Sequence, residues 1–234
     1  MQTTKTDPDL TVYEHLEQGS DEWHEARRGV LTASVIGKLI TPTLKAADNQ
    51  TSRGIIAQLA AERISGRPAD PIWSKDIERG HLDEPYAREA YAGWSGLHVD
   101  EVGFMTLTLD GAVLGYSPDG ITSAGHLIEI KSRKPRLQLE HMLGREIPHD
   151  HMMQMQAGML VAGADYCDYV SYAGGMHLIV TRVYQSSRHA EAIRAVVAET
   201  EEHIKDLIIE YEGAAKEFPP TEYVDHYAET EIVI

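Results

Sequence analysis

The sequence predicts an α/β (α+β) fold, with strands and helices interspersed along 234 residues. Three observations predict it. Short apolar runs such as 113–116, 127–130 and 166–172 lie between glycine- and serine-rich turn segments, as strands do. Other stretches repeat apolar residues at helical spacing, for example Ile55, Ile56, Leu59, Ala60 and Ile64. The length, with 42% hydrophobic and 25% charged residues, suits a single globular domain over 1–234 with a real core.

In chain order, Ser20 is placed to cap a short helix through Trp23 and Ala26 that Gly29 closes, and Thr32 or Ser34 opens a second from Ala33 to Ile40, stopped by Pro42. This puts Arg27 at one helix end and the Ser34 hydroxyl at the start of the next. Two readings are open there: a phosphate site built on free amides and the helix dipole, or ordinary capping beside a solvated arginine. A polar loop, 41–51, precedes a core-packed helix from Ser52 to Ser65 ending at Gly66, and Pro68 to Pro71 reads as a linker. Ser74 to Trp94 carries Ile77, Gly80, Glu84, Ala87 or Arg88, and Tyr91 on one face. Glu84 is thus a carboxylate on an apolar stripe, which needs a partner. Pro85 should kink this helix at Glu84 or start a new one. Val99 to Leu109 reads as a strand, and Gly111 turns into the next. After a basic run come a short helix, Arg136 to Gly144, and a methionine-rich helix, His149 to Ala162, with His151, Gln154, Gly158 and Val161 on one face. Strands 166–172 and 177–184 join through Gly174-Gly175. Ser187 caps a long amphipathic helix, and an acidic peripheral tail follows Pro219-Pro220.

The chemistry concentrates in Y-S-P-D-G-I-T-S-A-G-H-L-I-E-I-K, residues 116–131. Val113–Tyr116 and Leu127–Ile130 read as two strands of a hairpin. Side chains i and i+2 of a strand share a face, so Glu129 and Lys131 point the same way. A pivot near Ala124 puts Asp119 opposite Glu129. Like charges facing each other across a ladder repel, so a cation belongs between them, and a divalent metal is the simplest one. Taken alone, the D…E-x-K pattern also fits a surface hairpin with solvated charges.

Composition narrows the function. No apolar run is long enough to span a bilayer, and residues 1–8 lack the apolar core of a signal peptide. With Cys167 the only cysteine, an internal disulfide or cysteine-rich metal site is excluded, and a cytoplasmic location is expected. The net charge of −16 opposes non-specific affinity for nucleic acid. It is unevenly spread, however: residues 187–234 hold twelve acidic and four basic side chains, or −8. Lys131, Arg133, Lys134 and Arg136, by contrast, crowd after the carboxylate strand, so a DNA partner would enter a local basic trough.

Five motifs occur in fixed order: W-H-x-x-R-x-G-V-x-T-A-S from Trp23, G-x-x-x-E from Gly80, S-P-D-G from Ser117, E-I-K from Glu129 and M-x-Q-x-Q from Met152. Their order and spacing resemble the phage lambda exonuclease family of viral-type recombination nucleases, within the PD-(D/E)xK superfamily, over about residues 14–185. The resemblance implies a restriction-endonuclease-like core, a central mixed β-sheet flanked by helices. It implies a 5′→3′ exonuclease that digests one strand of linear duplex DNA with 5′-phosphate ends, leaving a 3′ single strand for an annealing protein. Asp119, Glu129 and the Ile130 carbonyl would hold metal, Glu84 a second ion or its water, Lys131 would be the catalytic lysine, and Gln154 would support it. Arg27, Ser34 and Ser117 would take the 5′ phosphate, and Arg133, Lys134 and Arg136 the DNA. Lys75 and Ile77 match positions near strand splitting, although core packing explains Ile77 equally well. Two magnesium ions per site, with manganese an acceptable substitute, and a homotrimeric ring around DNA are implied as well. Pro85, and His151 where the family can carry an aromatic hydroxyl, depart from the pattern. The competing readings are a site- or structure-specific endonuclease, a catalytically spent end-binding scaffold, and a metal-dependent phosphatase.

Overall fold

The computed structural model describes residues 9–70 and 74–224. Pro71 at the end of the expected linker, and residues 225–234 of the acidic tail, lie outside the described residues.

A first sheet has the order β1-β4-β5-β2, built from β1 (Leu10–Tyr13), β4 (Phe104–Leu109), β5 (Ala112–Tyr116) and β2 (Leu31–Thr32). The second has the order β3-β6-β7-β8-β9: β3 (Val99–Asp100), β6 (Gly120–Thr122), β7 (Leu127–Ser132), β8 (Tyr166–Tyr172) and β9 (Ile179–Tyr184). Both are mixed: β2 runs parallel to β5, and β7 parallel to β8. The expected central sheet is therefore two sheets sharing one core, in which Met105, Leu107 and Leu114 of the first pack with Leu127, Cys167 and Tyr169 of the second.

Two strand expectations are corrected. The run 99–109 is not one strand: it divides between the sheets, because the carbonyls of Val102 and Gly103 are taken by the side chains of Gln18 and Trp23 rather than by a ladder. Nor does 113–116 pair with 127–130. β5 pairs antiparallel with β4 across Asp110-Gly111, and the partner of β7 is the short β6. The crossing between sheets is Ser117-Pro118-Asp119, where proline has no N–H for a ladder and the Pro118 carbonyl accepts from Gln18. The register nevertheless turns on residue 124. Gly120 faces Ile128, so Asp119 continues toward Glu129.

The helices frame these sheets. Ser20 caps α1 (Asp21–Arg27) by accepting from the Trp23 amide, and α2 is Ala33–Leu39. Asn49, with Ser52 completing a capping box, starts α3 (Gln50–Ser65), which ends at left-handed Gly66. In α4 (Lys75–Ser95), Pro85 neither ends the helix nor starts another; one continuous helix runs through Glu84. The crossover from β7 to β8 comprises α5 (Pro135–Gly144) and α6 (His149–Ala162). α6 packs against α2 and both sheets. Ser186, not Ser187, precedes α7 (Ser187–Ala215), and its side chain makes no cap bond; Ile193, Val197 and Ile204 turn inward. Among the described residues no helix is long and apolar enough to cross a membrane.

Candidate active site

β7 lies inside its sheet, with β6 on one side and β8 on the other; its residues Leu127 to Ile130 are buried, and Lys131 emerges at a cleft. Glu129 is 0% exposed. Lys131 Nζ stands 2.6 Å from its Oε1, yet neither carboxylate oxygen has a well-aligned hydrogen-bond donor. Lys131 also donates to Gln154 Oε1 on α6 at 3.3 Å. Asp119 reaches the same spot from the crossing segment, its Oδ2 accepting from the Ile130 amide at 2.6 Å. Asp119, Glu129, Lys131 and Gln154 are thus brought together as expected.

Burial pushes Glu129 up to about 8, with the Asp119 charge adding to it and Lys131 opposing. Asp119 is raised, again chiefly by burial, and Lys131 is the main charge opposing that rise. Burial works to discharge Lys131, but the Glu129 and Asp119 carboxylates outweigh it and hold the amine above its ordinary value. The ammonium therefore supplies the positive charge that two converging carboxylates require.

Glu84 faces the same cleft of 420 Å³, whose lining includes Ile77, His81, Asp119, Ile130 and Lys131. Its carboxyl is raised to about 7 by burial and by Asp119. Its partner is Arg88, one turn along α4 at 2.6 Å, which also donates from Nε to the Asp119 carbonyl at 3.0 Å and pairs with Glu101. Ile77 is 42% exposed at the cleft, so core packing does not explain it. Lys75 is exposed at the start of α4.

A second constellation joins the first through Ser117, two residues from Asp119 and so within about 7 Å of chain. The Ser117 hydroxyl accepts from Arg27 Nη1 at 3.2 Å and Trp23 Nε1 at 3.0 Å. The Arg27 guanidinium lies 4.0 Å over the Trp23 ring, and burial lowers it to about 10. Ser34 is exposed, its hydroxyl 3.1 Å from Thr32 Oγ1, and bonds neither Arg27 nor Ser117. In the basic run, Arg133 donates to the Tyr169 hydroxyl at 2.6 Å, Lys134 pairs with Asp76 at 2.9 Å, and Arg136 pairs with Glu140. The trough is thus partly neutralised from within.

The donor set fits a hard divalent cation: two buried carboxylate oxygens of Glu129 without aligned donors, with the carboxyls of Asp119 and Glu84 at the neighbouring cleft. Among the described residues no three His, Cys, Asp or Glu side chains close into a metal-holding group. Two of the three carboxylates are turned to protein donors, Glu84 to Arg88 and Asp119 to the Ile130 amide.

A family model described as the YqaJ-like viral recombinase domain matches residues 22–165, more than half of the chain and every site residue expected from the sequence. The chain belongs to this family. Among solved structures, the alkaline exonuclease LHK-Exo of Laribacter hongkongensis is similar with a TM-score of 0.70 and 28% identity, over 85% of this chain and 100% of its own; its complex with dAMP matches equally. A phage-related exonuclease of Haemophilus somnus 129PT shares the fold, with a TM-score of 0.56 and 14% identity over 77% of this chain and 96% of its own. A search of curated proteins finds no match.

In this member of the viral recombinase family, sequence reasoning missed three contributors to the site. Arg88 bridges Glu84 and Asp119; its i,i+4 spacing from Glu84 was the available signal. Gln18 holds the crossing segment through Val102 and Pro118, across sequence separations that no local pattern reveals. Tyr169, facing Glu129 in the parallel register, bonds Arg133 and, at 2.9 Å, His151 Nδ1. His149 is occupied elsewhere, bonded to the Ile40 carbonyl at 2.7 Å.

Proposed function

We propose that this chain is a metal-dependent 5′→3′ exonuclease that digests one strand of linear double-stranded DNA from its end and leaves 3′ single strands for recombination by annealing. One observation carries the reading: Asp119 and Lys131 line a cleft that begins two residues from the Arg27–Ser117 pair, with buried Glu129 2.6 Å from Lys131. A hydrolytic centre and an anion grip joined this closely suit cutting at a fixed distance from a terminal phosphate. Family membership and the likeness to LHK-Exo support it.

Asp119, Glu129 and the Ile130 carbonyl would hold one magnesium ion and Glu84 a second, with manganese able to replace them. When bound, such ions activate water and stabilise the leaving 3′ oxygen. Lys131, kept charged by Glu129 and oriented by Gln154, offsets negative charge developing on the phosphate rather than serving as base. Arg27 and Ser117 hold the 5′ phosphate, with Ser34 nearby on α2, and this anchor sets polarity. Lys75 and Ile77 meet the duplex at the cleft mouth, Ile77 as an apolar wedge, and Arg133, Lys134 and Arg136 exchange their internal partners for backbone phosphates. A homotrimeric ring, acidic outside and basic within, would retain DNA despite the net charge of −16. A single-strand annealing protein is the expected partner, and the cytoplasm the expected location.

The test is digestion of end-labelled linear duplex in magnesium, comparing 5′-phosphoryl and 5′-hydroxyl ends, alongside covalently closed plasmid. Release of 5′ nucleotides from the linear substrate, faster with a 5′ phosphate, and sparing of the closed circle are expected. Cleavage of the circle would favour the endonuclease reading, and end binding without release would favour the scaffold.

A further inference from the structure

The turn that follows Arg27 is clamped on both sides of one residue. Gly29 has a φ of +65, which glycine adopts without strain. Its N–H donates to Oε2 of buried Glu62 at 2.6 Å, and its carbonyl accepts from Arg63 Nε at 2.8 Å. Both partners are consecutive residues near the end of α3. The clamp is tight: a Cβ at Gly29 would stand 2.5 Å from Arg63 Cγ. Arg63 is in turn fixed by a two-pronged pair with Glu201 of α7, both contacts 2.8 Å. α7 lies outside the residues matched to the viral recombinase family. Glu62 is also the carboxylate that favours the charged form of the half-buried Arg27.

None of these three side chains reaches the cleft, yet together they set where the α1 terminus, and with it Arg27, can sit. We infer that Glu62 and Arg63, braced by Glu201, are positioning residues for the Arg27 anchor, and so determine how well a 5′-phosphoryl end is distinguished from a 5′-hydroxyl end. This rests on the proposed role of Arg27. A planar guanidinium over an indole keeps its aim only if the backbone carrying it is held, and a displacement on the order of 1 Å is costly to such a grip.

The sign of the effect separates positioning from through-space charge. Glu62→Met and Glu201→Gln each remove a negative charge, and Glu62→Met also removes the acceptor for the Gly29 N–H. By Coulomb attraction alone, the phosphoryl end should then bind more tightly; loss of the clamp should make it bind less tightly.

The experiment measures kcat and KM on 5′-phosphoryl and 5′-hydroxyl duplexes for the wild type, Arg27→Ala, Glu62→Met and Glu201→Gln, with a melting curve for each. Glu62→Met and Glu201→Gln are expected to lower the phosphoryl preference about tenfold through KM, with kcat on hydroxyl ends unchanged. An unchanged or increased preference in these variants, while Arg27→Ala abolishes it, overturns the inference and leaves the anchor standing. A preference absent in the wild type, or retained by Arg27→Ala, overturns the anchor itself and the inference with it. If Glu62→Met does not fold, the partly exposed Glu201→Gln decides.

Discussion

Lys131 Nζ stands 2.6 Å from Oε1 of Glu129, a carboxylate with no exposed surface, and its other polar contact is the side chain of Gln154. The amine is thus held charged, and aimed, by residues of one strand and one helix. Replacing it should remove the positive charge facing the cleft while leaving the Arg27–Ser117 grip intact. Lys131→Ala is expected to lower single-turnover hydrolysis by at least about 100-fold, the scale of losing one preorganised electrostatic group. Binding to 5′-phosphoryl duplex ends, read by fluorescence anisotropy, should change little. Unchanged hydrolysis would take Lys131 out of the reaction.

Burial raises Glu84 to about 7, so through the neutral interval it still holds a proton in part, which a cation must displace. Metal binding should therefore release protons and tighten as pH rises through that interval. Magnesium should raise the melting temperature in wild-type protein, with a larger shift at pH 8.5 than at pH 6.5, and chelator should reverse it. Asp119→Asn and Glu129→Gln should lose the shift. A shift that survives both substitutions would mean the ion binds elsewhere.

The meeting of Asp119 and Glu129 was legible because strand alternation and a pivot at residue 124 are both local rules. Most helices were legible too, since caps such as Ser20 and Gly66 lie within one turn of what they satisfy. What could not be read was which strands share a sheet. The division between β3 and β4 depends on Gln18 and Trp23 capturing carbonyls 80 or more residues away. Pro85 locally allows either a kink or a new helix start, and α4 makes no new start there: packing along β7 and β8, including the bond from Ser132 to Asp83 at 2.6 Å, keeps it one helix.

His151 carries a pH dependence. Its ring, bonded to Tyr169, is lowered to about 4, first by burial and then by the Lys131 and Arg133 charges. In the unfolded chain it titrates near 6.5. Between these values the unfolded state binds more protons, so stability rises with pH through this window and is lost as pH falls from about 6.5 toward 4. His151→Gln cannot be protonated there. The stability difference between pH 7 and pH 5, from urea unfolding, should shrink by about 1–2 kcal/mol relative to wild type. An equal difference in both proteins would show that the imidazole does not titrate in that range.

Tyr116 lies under α6 where Gly158 meets its ring. A Cβ at 158 would stand 2.6 Å from Tyr116 Cζ, and the ring is 1% exposed with no room to yield. Gly158→Ala should therefore destabilise the protein by about 1–3 kcal/mol despite the better helix propensity of alanine. The Tyr116 hydroxyl is itself buried without a hydrogen-bond partner, so Tyr116→Phe removes an uncompensated polar group and should leave stability unchanged or raise it by about 1 kcal/mol. Tyr116→Leu opens space over position 158, and the double variant Gly158→Ala with Tyr116→Leu should be more stable than the two single effects sum to. Strict additivity in that cycle would mean that ring and helix backbone are not in contact. The placement of Gln154, on the same helix one turn earlier, would then need another explanation.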